Sequence, residues 1–343
     1  MIKKPKVSII IVNWNGRHLL SGCLDSLKRQ TFRDFEVIVV DNGSTDGSVG
    51  LLRKKYPWVR VIENKENLGF GHANNVGIAA SKSEYAALLN NDIVADKQWL
   101  AELVSFAEAC PQTVGSFASR MMLYKTPSIV NSTGIVFFKN GGATDRDFGK
   151  RMGKGCDLSV DIAGACAGAA LYRRKALEAV VEPGNQYFSN RFFMYLEDVD
   201  LAYKLQWAGF GCKYVHPAIV LHHHRASSKR NPTLHILSGC LNRQRIILRN
   251  FTWKLILLNL HWIVATELLE FPYVFAMCSP LAPFRAKWQI LSEFQIHRAW
   301  RKKMAKRFGK NEKRVSLLMK APDLKGAIIR GIRAFAKLKL QGK

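Results

Sequence analysis

Between Phe192 and Leu201 the chain reads Phe-Phe-Met-Tyr-Leu-Glu-Asp-Val-Asp-Leu, so an apolar approach delivers three carboxylates, Glu197, Asp198 and Asp200. A carboxylate held against apolar walls loses hydration, its pKa rises toward working pH, and it becomes an effective general base. Two further acidic clusters follow apolar runs upstream: Asp41-Asn42-Gly43-Ser44-Thr45-Asp46-Gly47 and Leu88-Leu89-Asn90-Asn91-Asp92. Three acidic sites placed this way point to one cleft holding a nucleotide, a metal and a base.

Each cluster has a plainer reading beside the chemical one. In the first, Ser44, Thr45 or Asp46 can cap a helix, while Asp41 can accept the N3–H of uracil or thymine. In the second, Asp92 supplies one hard metal ligand, enough for a divalent cation whose shell diphosphate and water complete; the alternative is a helix N-cap. The stretch from Glu66 to Gly77 is rich in Gly and Asn ahead of a helix. Its backbone amides and its Asn67 and Asn75 side chains can approach ribose and diphosphate, or it is an ordinary loop and cap. His222-His223-His224 ends a strand, where alternation puts His222 and His224 on one face. One of them can complete a Mn²⁺ or Mg²⁺ site, Mn²⁺ suiting imidazole better.

The elements that must position these residues alternate. Val7 to Val12 and Phe35 to Val40 are β-branched runs that read as buried strands, with Val59–Ile62 and Tyr85–Leu89 after them. Helical spacing falls between them, over Arg17–Gln30, from the turn after Asp41 to Tyr56, and over Ala73–Ala80, with Lys97–Ala109 following. Strands alternating with helices build a mostly parallel sheet, and ligands then sit outside the carboxyl ends of the strands. Asn13, Asp41 and Asp92 all stand there. The pattern then weakens: short strands from Thr113, a glycine-rich stretch from Lys139 to Gly155 that reads as a mobile loop, small residues over Asp161–Ala170, a helix over Asp198–Trp207 and strands over Gly209–Leu221.

The 343 residues carry a net charge of +26, and its placement is uneven. From Arg225 onward there are 25 Lys and Arg against 5 Asp and Glu, a net +20. This region interleaves basic with large apolar residues, as in Phe251-Thr252-Trp253-Lys254-Leu255-Ile256, which fits an anionic lipid surface better than nucleic acid; a solvated basic helix face is the plainer reading. Glu267, Glu270, Pro272, Pro280 and Pro283 interrupt the apolar stretch, so helices in the membrane interface are expected ahead of a spanning hairpin. Seven scattered cysteines without a Cys-x-x-Cys argue for a reducing compartment, and the Val7–Val12 run is too short for a signal segment. A cytoplasmic chain, peripheral on the inner face of the cell membrane, is therefore expected.

Taken in order, the motifs resemble the family 2 glycosyltransferases of the GT-A fold, in their rhamnosyltransferase-like bacterial branch. The matching pieces run from Val7-Ser-Ile-Ile-Ile-Val-Asn-Trp-Asn15 through Val39–Gly47, Glu66-Asn-Leu-Gly-Phe70, Leu88–Asp92 and Gly168–Arg174 to Phe192–Leu201 and the histidines before Ser227. The resemblance implies a Rossmann-like α/β catalytic domain over residues 1–230, with helices on both faces of a mostly parallel sheet, and a basic amphipathic helical region over 231–343. It implies an inverting transfer from a UDP- or dTDP-sugar, dTDP-rhamnose among them, to a glycan or lipid-linked acceptor. Asp41 matches the base-reading acid. Asn13 and Asn15 line the nucleotide pocket, and Asn42, Asp46, Asn67, Gly69, Phe70, Asn75 and Asn91 complete the donor site. Asp92 stands last in the metal motif, whose first acid is here Asn90, and His222 matches the histidine that helps hold metal or diphosphate. Asp198 aligns with the general base and Glu197 with its neighbour. Lys204 stands where arginine is usual, and Val181–Phe188 departs from the family's Gly-Gly-Phe-Asp. Two readings compete: a sugar nucleotidyltransferase, whose basic glycine-rich signature Asn13–Arg17 matches poorly, and a nucleic-acid binder, which leaves the acidic cleft without purpose.

Overall fold

The computed structural model describes residues 4–153, 158–223, 232–326 and 328. It divides into two compact units, Met1–Val136 with Thr144–Lys229, and Phe137–Ala143 with Arg230–Lys343. His224, Ser227, and Lys154 and Gly155 of the glycine-rich stretch lie outside the described residues.

The first unit is built on strands β1 (Val7–Asn13), β2 (Phe35–Asn42), β3 (Arg60–Asn64), β4 (Tyr85–Leu89), β5 (Ile93–Ala95), β6 (Val114–Leu123), β7 (Thr126–Ser132), β8 (Ile135–Phe138), β9 (Ala143–Asp145), β10 (Asp161–Ile162), β11 (Ala169–Arg173) and β12 (Gly211–His222), the unit boundary falling within β8 and β9. Their order in the main sheet is β10-β12-β6-β11-β4-β1-β2-β3, with β5 on β12 and β7 on β6. The neighbours β3, β2, β1 and β4 are parallel, as are β6 and β12, whereas β11 runs antiparallel to β4 and β6. The interleaved helices are α1 (Arg17–Lys28), α2 (Ser48–Lys55), α3 (Phe70–Ala80), α4 (Trp99–Ala109), α5 (Arg174–Val180) and α6 (Glu197–Trp207).

Continuous β-branched runs are needed because both sheet faces are covered. Ile9 and Ile11 join the apolar cluster of Leu20, Leu24 and Trp99, while Ile10 between them joins that of Ala73, Ile78 and Leu201. On the second face a Cβ at Gly77 would lie 2.5 Å from Ile10 Cγ2, so α3 lies close against β1 only because residue 77 is glycine. Strand order reverses at β1: β2 and β3 extend one way and β4 the other. That reversal opens a crevice at the carboxyl ends of β1 and β4.

Two of the elements differ from expectation. The glycine-rich stretch contains β9, and Thr133 and Arg146 pair through the backbone (N–H to O 3.1 Å), so its described part is held in place where a mobile loop was expected. The strands expected over Gly209–Leu221 are one long β12, bulged between Val215 and Ile219.

The second unit holds helices α7 (Pro232–Asn250), α8 (Trp253–Leu258), α9 (Leu260–Met277), α10 (Ala282–Phe308) and α11 (Glu312–Leu318), with strand β13 (Met319–Lys320) pairing β8 at Phe137 and Phe138. Buried ion pairs order its interior. Arg245 makes a bidentate contact with Glu293 (2.7 and 2.8 Å), and Arg243 grips Glu270 (2.8–3.0 Å) and Glu267. Among the described residues no helix is long and apolar enough to cross a membrane.

Candidate active site

A hydrogen-bonded chain crosses the ends of three adjacent strands. Asn91 Nδ2, after β4, donates to Asn13 Oδ1 at the end of β1 (2.8 Å), and Asn13 Nδ2 donates to Asp41 Oδ1 at the end of β2 (2.9 Å). Asp41 Oδ2 accepts the Ser44 amide (2.9 Å), which closes the turn, and the Ser44 hydroxyl accepts from Asn13 Nδ2 (3.2 Å) and the Asn15 amide (2.8 Å). Asn15, itself left-handed at φ 49°, accepts the Thr45 amide at Oδ1 (2.8 Å). Asn13 is fully buried and Asp41 is 2% exposed. Ionised, Asp41 retains acceptor capacity beyond these two bonds, because a carboxylate offers about four lone-pair sites.

Several expected donor residues spend their side chains on scaffolding. Asp46 accepts the Arg17 amide (2.9 Å) and the Ser48 amide (3.0 Å), capping the starts of both α1 and α2. Asn42 ties down the following loop through Asn67 Oδ1 (2.8 Å), the Leu68 amide (3.2 Å) and Asn64 (3.0 Å), and Asn67 turns back to the Gly69 amide (3.0 Å). Gly69 has φ 87°, and a Cβ there would lie 2.3 Å from the Phe193 carbonyl oxygen, which accepts the Phe70 amide (3.1 Å). Asn75 clasps the backbone of Phe188 at both N–H (2.8 Å) and C=O (2.7 Å). Thus the 67–75 stretch anchors the 188–193 segment that leads into α6.

Asp92 is buried beside His222, with Oδ1 and Nε2 3.1 Å apart. Asn131 Oδ1 on β7 bonds the other ring nitrogen, Nδ1. A carboxylate oxygen next to an imidazole whose far nitrogen is fixed by a carbonyl oxygen could supply two of the ligands of a divalent cation. No group of three or more His, Cys, Asp and Glu suited to a metal occurs among the described residues, so the pair fits a cation only if diphosphate and water fill the other positions. In the turn that leads into α4, Asp96 accepts the Gln98 amide at its carboxylate (2.9 Å) and the Trp99 amide at its carbonyl (3.0 Å). His223 takes the opposite side of the strand and stacks on Tyr124 (centroids 3.8 Å).

The acidic pair opens α6. Tyr195 (φ 68°) and Leu196 (φ 62°) are both left-handed, a costly conformation for bulky residues that turns the chain sharply into the helix. Asp198 accepts the Val199 amide at Oδ1 (2.9 Å) and the Ala167 amide at Oδ2 (3.2 Å). The carbonyl of the next residue, Gly168, accepts the Asn90 amide (2.8 Å), which places Asp198 at the same strand ends as Asp92. Burial pushes the Asp198 carboxyl up to about 6. Burial, then the Asp198 charge, pushes Glu197 up to about 8. Glu197 Oε2 finds no hydrogen-bond partner among the described residues, as suits a neutral carboxyl. The pair therefore holds one proton near neutrality, and Asp198, with two amide bonds, is the partner that ionises first.

Asp145 on β9 is a site residue that sequence reasoning missed. Burial raises its pKa, opposed in part by the neighbouring Ser132, Cys166 and His222. Its charge in turn raises Asp198. No motif marks it, and Gly141, Gly142 and Gly149 around it disguise its strand. Lys204 is fully buried and binds Glu182 (3.0 Å) and the Tyr187 carbonyl (2.7 Å), so it braces the segment before α6.

An open, mostly parallel α/β sheet with its crevice at these strand ends is the architecture of the GT-A glycosyltransferases. Residues 8–181 match the sequence pattern of glycosyl transferase family 2, and the chain belongs to that family. It is 29% identical over 257 residues, 66% of its length and 79% of the other's, to an N-acetylglucosaminyl-diphospho-decaprenol L-rhamnosyltransferase of Mycobacterium tuberculosis. It spans only 13–33% of the length of four other curated relatives that it matches. Its fold is that of a Pyrobaculum calidifontis mannosyltransferase in complex with GDP-Man and Mn²⁺ (TM-score 0.53, 18% identity, 92% of this chain and 87% of the other). It is also that of GalNAc-T7 with UDP, GalNAc and Mn²⁺ (TM-score 0.63, 15% identity, 88% and 55%).

Proposed function

We propose that the chain is an inverting glycosyltransferase that moves a sugar from a uridine or thymidine diphospho-sugar to a hydroxyl of a lipid-linked or surface-glycan acceptor. The observation that carries this is Asp198: a carboxylate raised toward neutrality, fixed by two backbone amides and seated at the strand ends that also hold Asp92. Asp198 takes the proton of the acceptor hydroxyl. The oxygen forms its bond to the anomeric carbon from the face opposite the diphosphate, and the carbon–oxygen bond to the diphosphate breaks with its electron pair leaving on the nucleotide. Glu197 stays protonated alongside and keeps a second negative charge out of the pocket. Asp41 accepts the pyrimidine N3–H, and the Asn13–Asn91 chain holds the rim on which the nucleotide rests.

Asp92 and His222 would hold a divalent cation, Mn²⁺ or Mg²⁺, which when bound offsets charge on the departing diphosphate. The rhamnosyl activity of the Mycobacterium relative makes dTDP-rhamnose the first donor to try and a diphospho-polyprenol glycan the first acceptor. Asp198→Asn is the test. It removes the base while keeping the shape, so transfer should fall about 10²–10⁴-fold with donor affinity nearly unchanged. Turnover at the wild-type rate removes the base assignment.

A further inference from the structure

The outward face of α10 changes character along its length. Phe284, Trp288, Leu291, Gln295, Lys302 and Lys306 succeed one another at intervals of three, four and seven residues, so they form a single helical stripe. Its first half is apolar and exposed: Phe284 57%, Trp288 74% and Leu291 66%. Its second half is basic, and Lys303, Arg307 and Lys310 flank it, all exposed. A parallel apolar stripe lies on α9 (Leu260, Val264, Leu268), and the two join through the edge-on contact of Phe271 with Phe284 (centroids 5.4 Å). The opposite face of α10 is spent on the interior of the unit, with Glu293, His297, Trp300, Arg301 and Met304 buried.

The net charge of this region alone does not identify what covers the stripe, because part of it is structural. Arg243, Arg245, Arg249 and Arg301 are buried, in ion pairs with Glu267, Glu270 and Glu293 or over the rings of Trp300 and Trp253. The charge left to act is concentrated on the second half of α10, next to the exposed apolar half. A second copy of the chain would bring the same lysines against this face. Nucleic acid would leave the tryptophan and leucines in water. An anionic bilayer offers both an apolar slab and a layer of negative phosphate.

We propose that this face docks on an anionic phospholipid bilayer. Leu260, Val264 and Leu268 of α9 and the first half of α10 lie among the upper acyl chains, while Lys302, Lys303, Lys306, Arg307 and Lys310 meet the headgroups. The inference rests on the proposed function only for its purpose, which is to bring the enzyme to a lipid-linked acceptor; the docking itself stands on the second unit alone.

Sedimentation of the full chain with vesicles tests it, using phosphatidylcholine alone and phosphatidylcholine mixed with phosphatidylglycerol. The wild type should bind the mixed vesicles and bind the neutral ones at least about tenfold more weakly. The triple variant Lys302→Glu, Lys303→Glu, Lys306→Glu should lose that preference. The double variant Trp288→Glu, Leu291→Glu should lose binding to both, with its circular dichroism and thermal transition unchanged because both side chains are exposed. Three results overturn the proposal: no vesicle binding by the wild type, undiminished binding by the folded double variant, or a wild-type dimer in sedimentation velocity that the double variant dissociates. Calorimetry with dTDP-rhamnose and UDP-sugars on the same samples separates the two readings. Vesicle binding without any nucleotide-sugar binding sinks the proposed function and leaves the docking intact, and the converse sinks the docking alone.

Discussion

Glu197→Gln removes a charge that the fold must neutralise in order to bury it. Glu197 is raised from 4.5 to about 8, so between those values the folded protein holds a proton that the unfolded chain has released. Stability contributed by that proton is complete below pH 4.5 and is lost as pH rises toward 8. At about 1.4 kcal/mol per pH unit, the wild type should lose up to about 3 kcal/mol between pH 4.5 and 7 that the glutamine variant keeps. Repulsion from Asp198 supplies part of the shift, so about 2 kcal/mol is the working figure. The new amide has its own cost, because its NH₂ replaces an oxygen that has no partner, but that cost does not vary with pH. Urea unfolding of both proteins at several pH values isolates the variable part. The two stability curves should diverge in favour of the variant as pH rises. Curves that stay parallel from pH 4.5 to 8 would show that Glu197 ionises normally, and the assignment of a shared proton would fall.

Other outcomes follow from the same geometry. Asp92→Ala should abolish the dependence of donor affinity on Mn²⁺ in calorimetry, and Asn131→Ala, which frees the far side of the His222 ring, should weaken metal-dependent donor binding by roughly 10–100-fold. Gly69→Ala forces a Cβ to within 2.3 Å of the Phe193 carbonyl at a φ of 87°, so it should lower stability by roughly 1–3 kcal/mol in urea unfolding.

The clusters around Asp41 and Asp92 were legible because each sits where a strand ends, and strand ends in a parallel sheet are where its crevice opens; the third cluster instead opens α6. The β-branched runs of β1 and β2 announced themselves, and so did the helix carrying Glu197 and Asp198. Asp145 and Asn131 were not legible. Each reaches the site through pairings distant in sequence, and neither stands in a motif: Asp145 is preceded by Gly141 and Gly142, and Asn131 lies near the end of β7. The sequence offered Asp46 both as a helix cap and, through the family resemblance, as a donor residue; the structure shows it bonded to the first amides of two helices, whereas Asp41, five residues earlier, bonds Asn13 and the Ser44 amide. Both are acids in one glycine-rich turn, and only their partners separate them.

That division of labour has a mechanical consequence. Asn13 bonds Asp41 and Asn91, Asn42 bonds Asn67, Asn75 clasps the Phe188 backbone and Asp46 accepts the Arg17 amide, so the rim of the crevice is held by bonds that need no ligand. The cost of fixing those side chains is met on folding, and little ordering is left for the moment a donor binds. The strained entry to α6 fits the same logic. Tyr195 and Leu196 are left-handed next to the acid pair, and the clasp of Asn75 on Phe188 and the approach of Gly69 to Phe193 hold the chain in place just upstream. Loosening that clasp should therefore cost transfer rate before it costs nucleotide affinity, because it moves Asp198 relative to the acceptor hydroxyl while the strand-end asparagines keep the nucleotide rim intact.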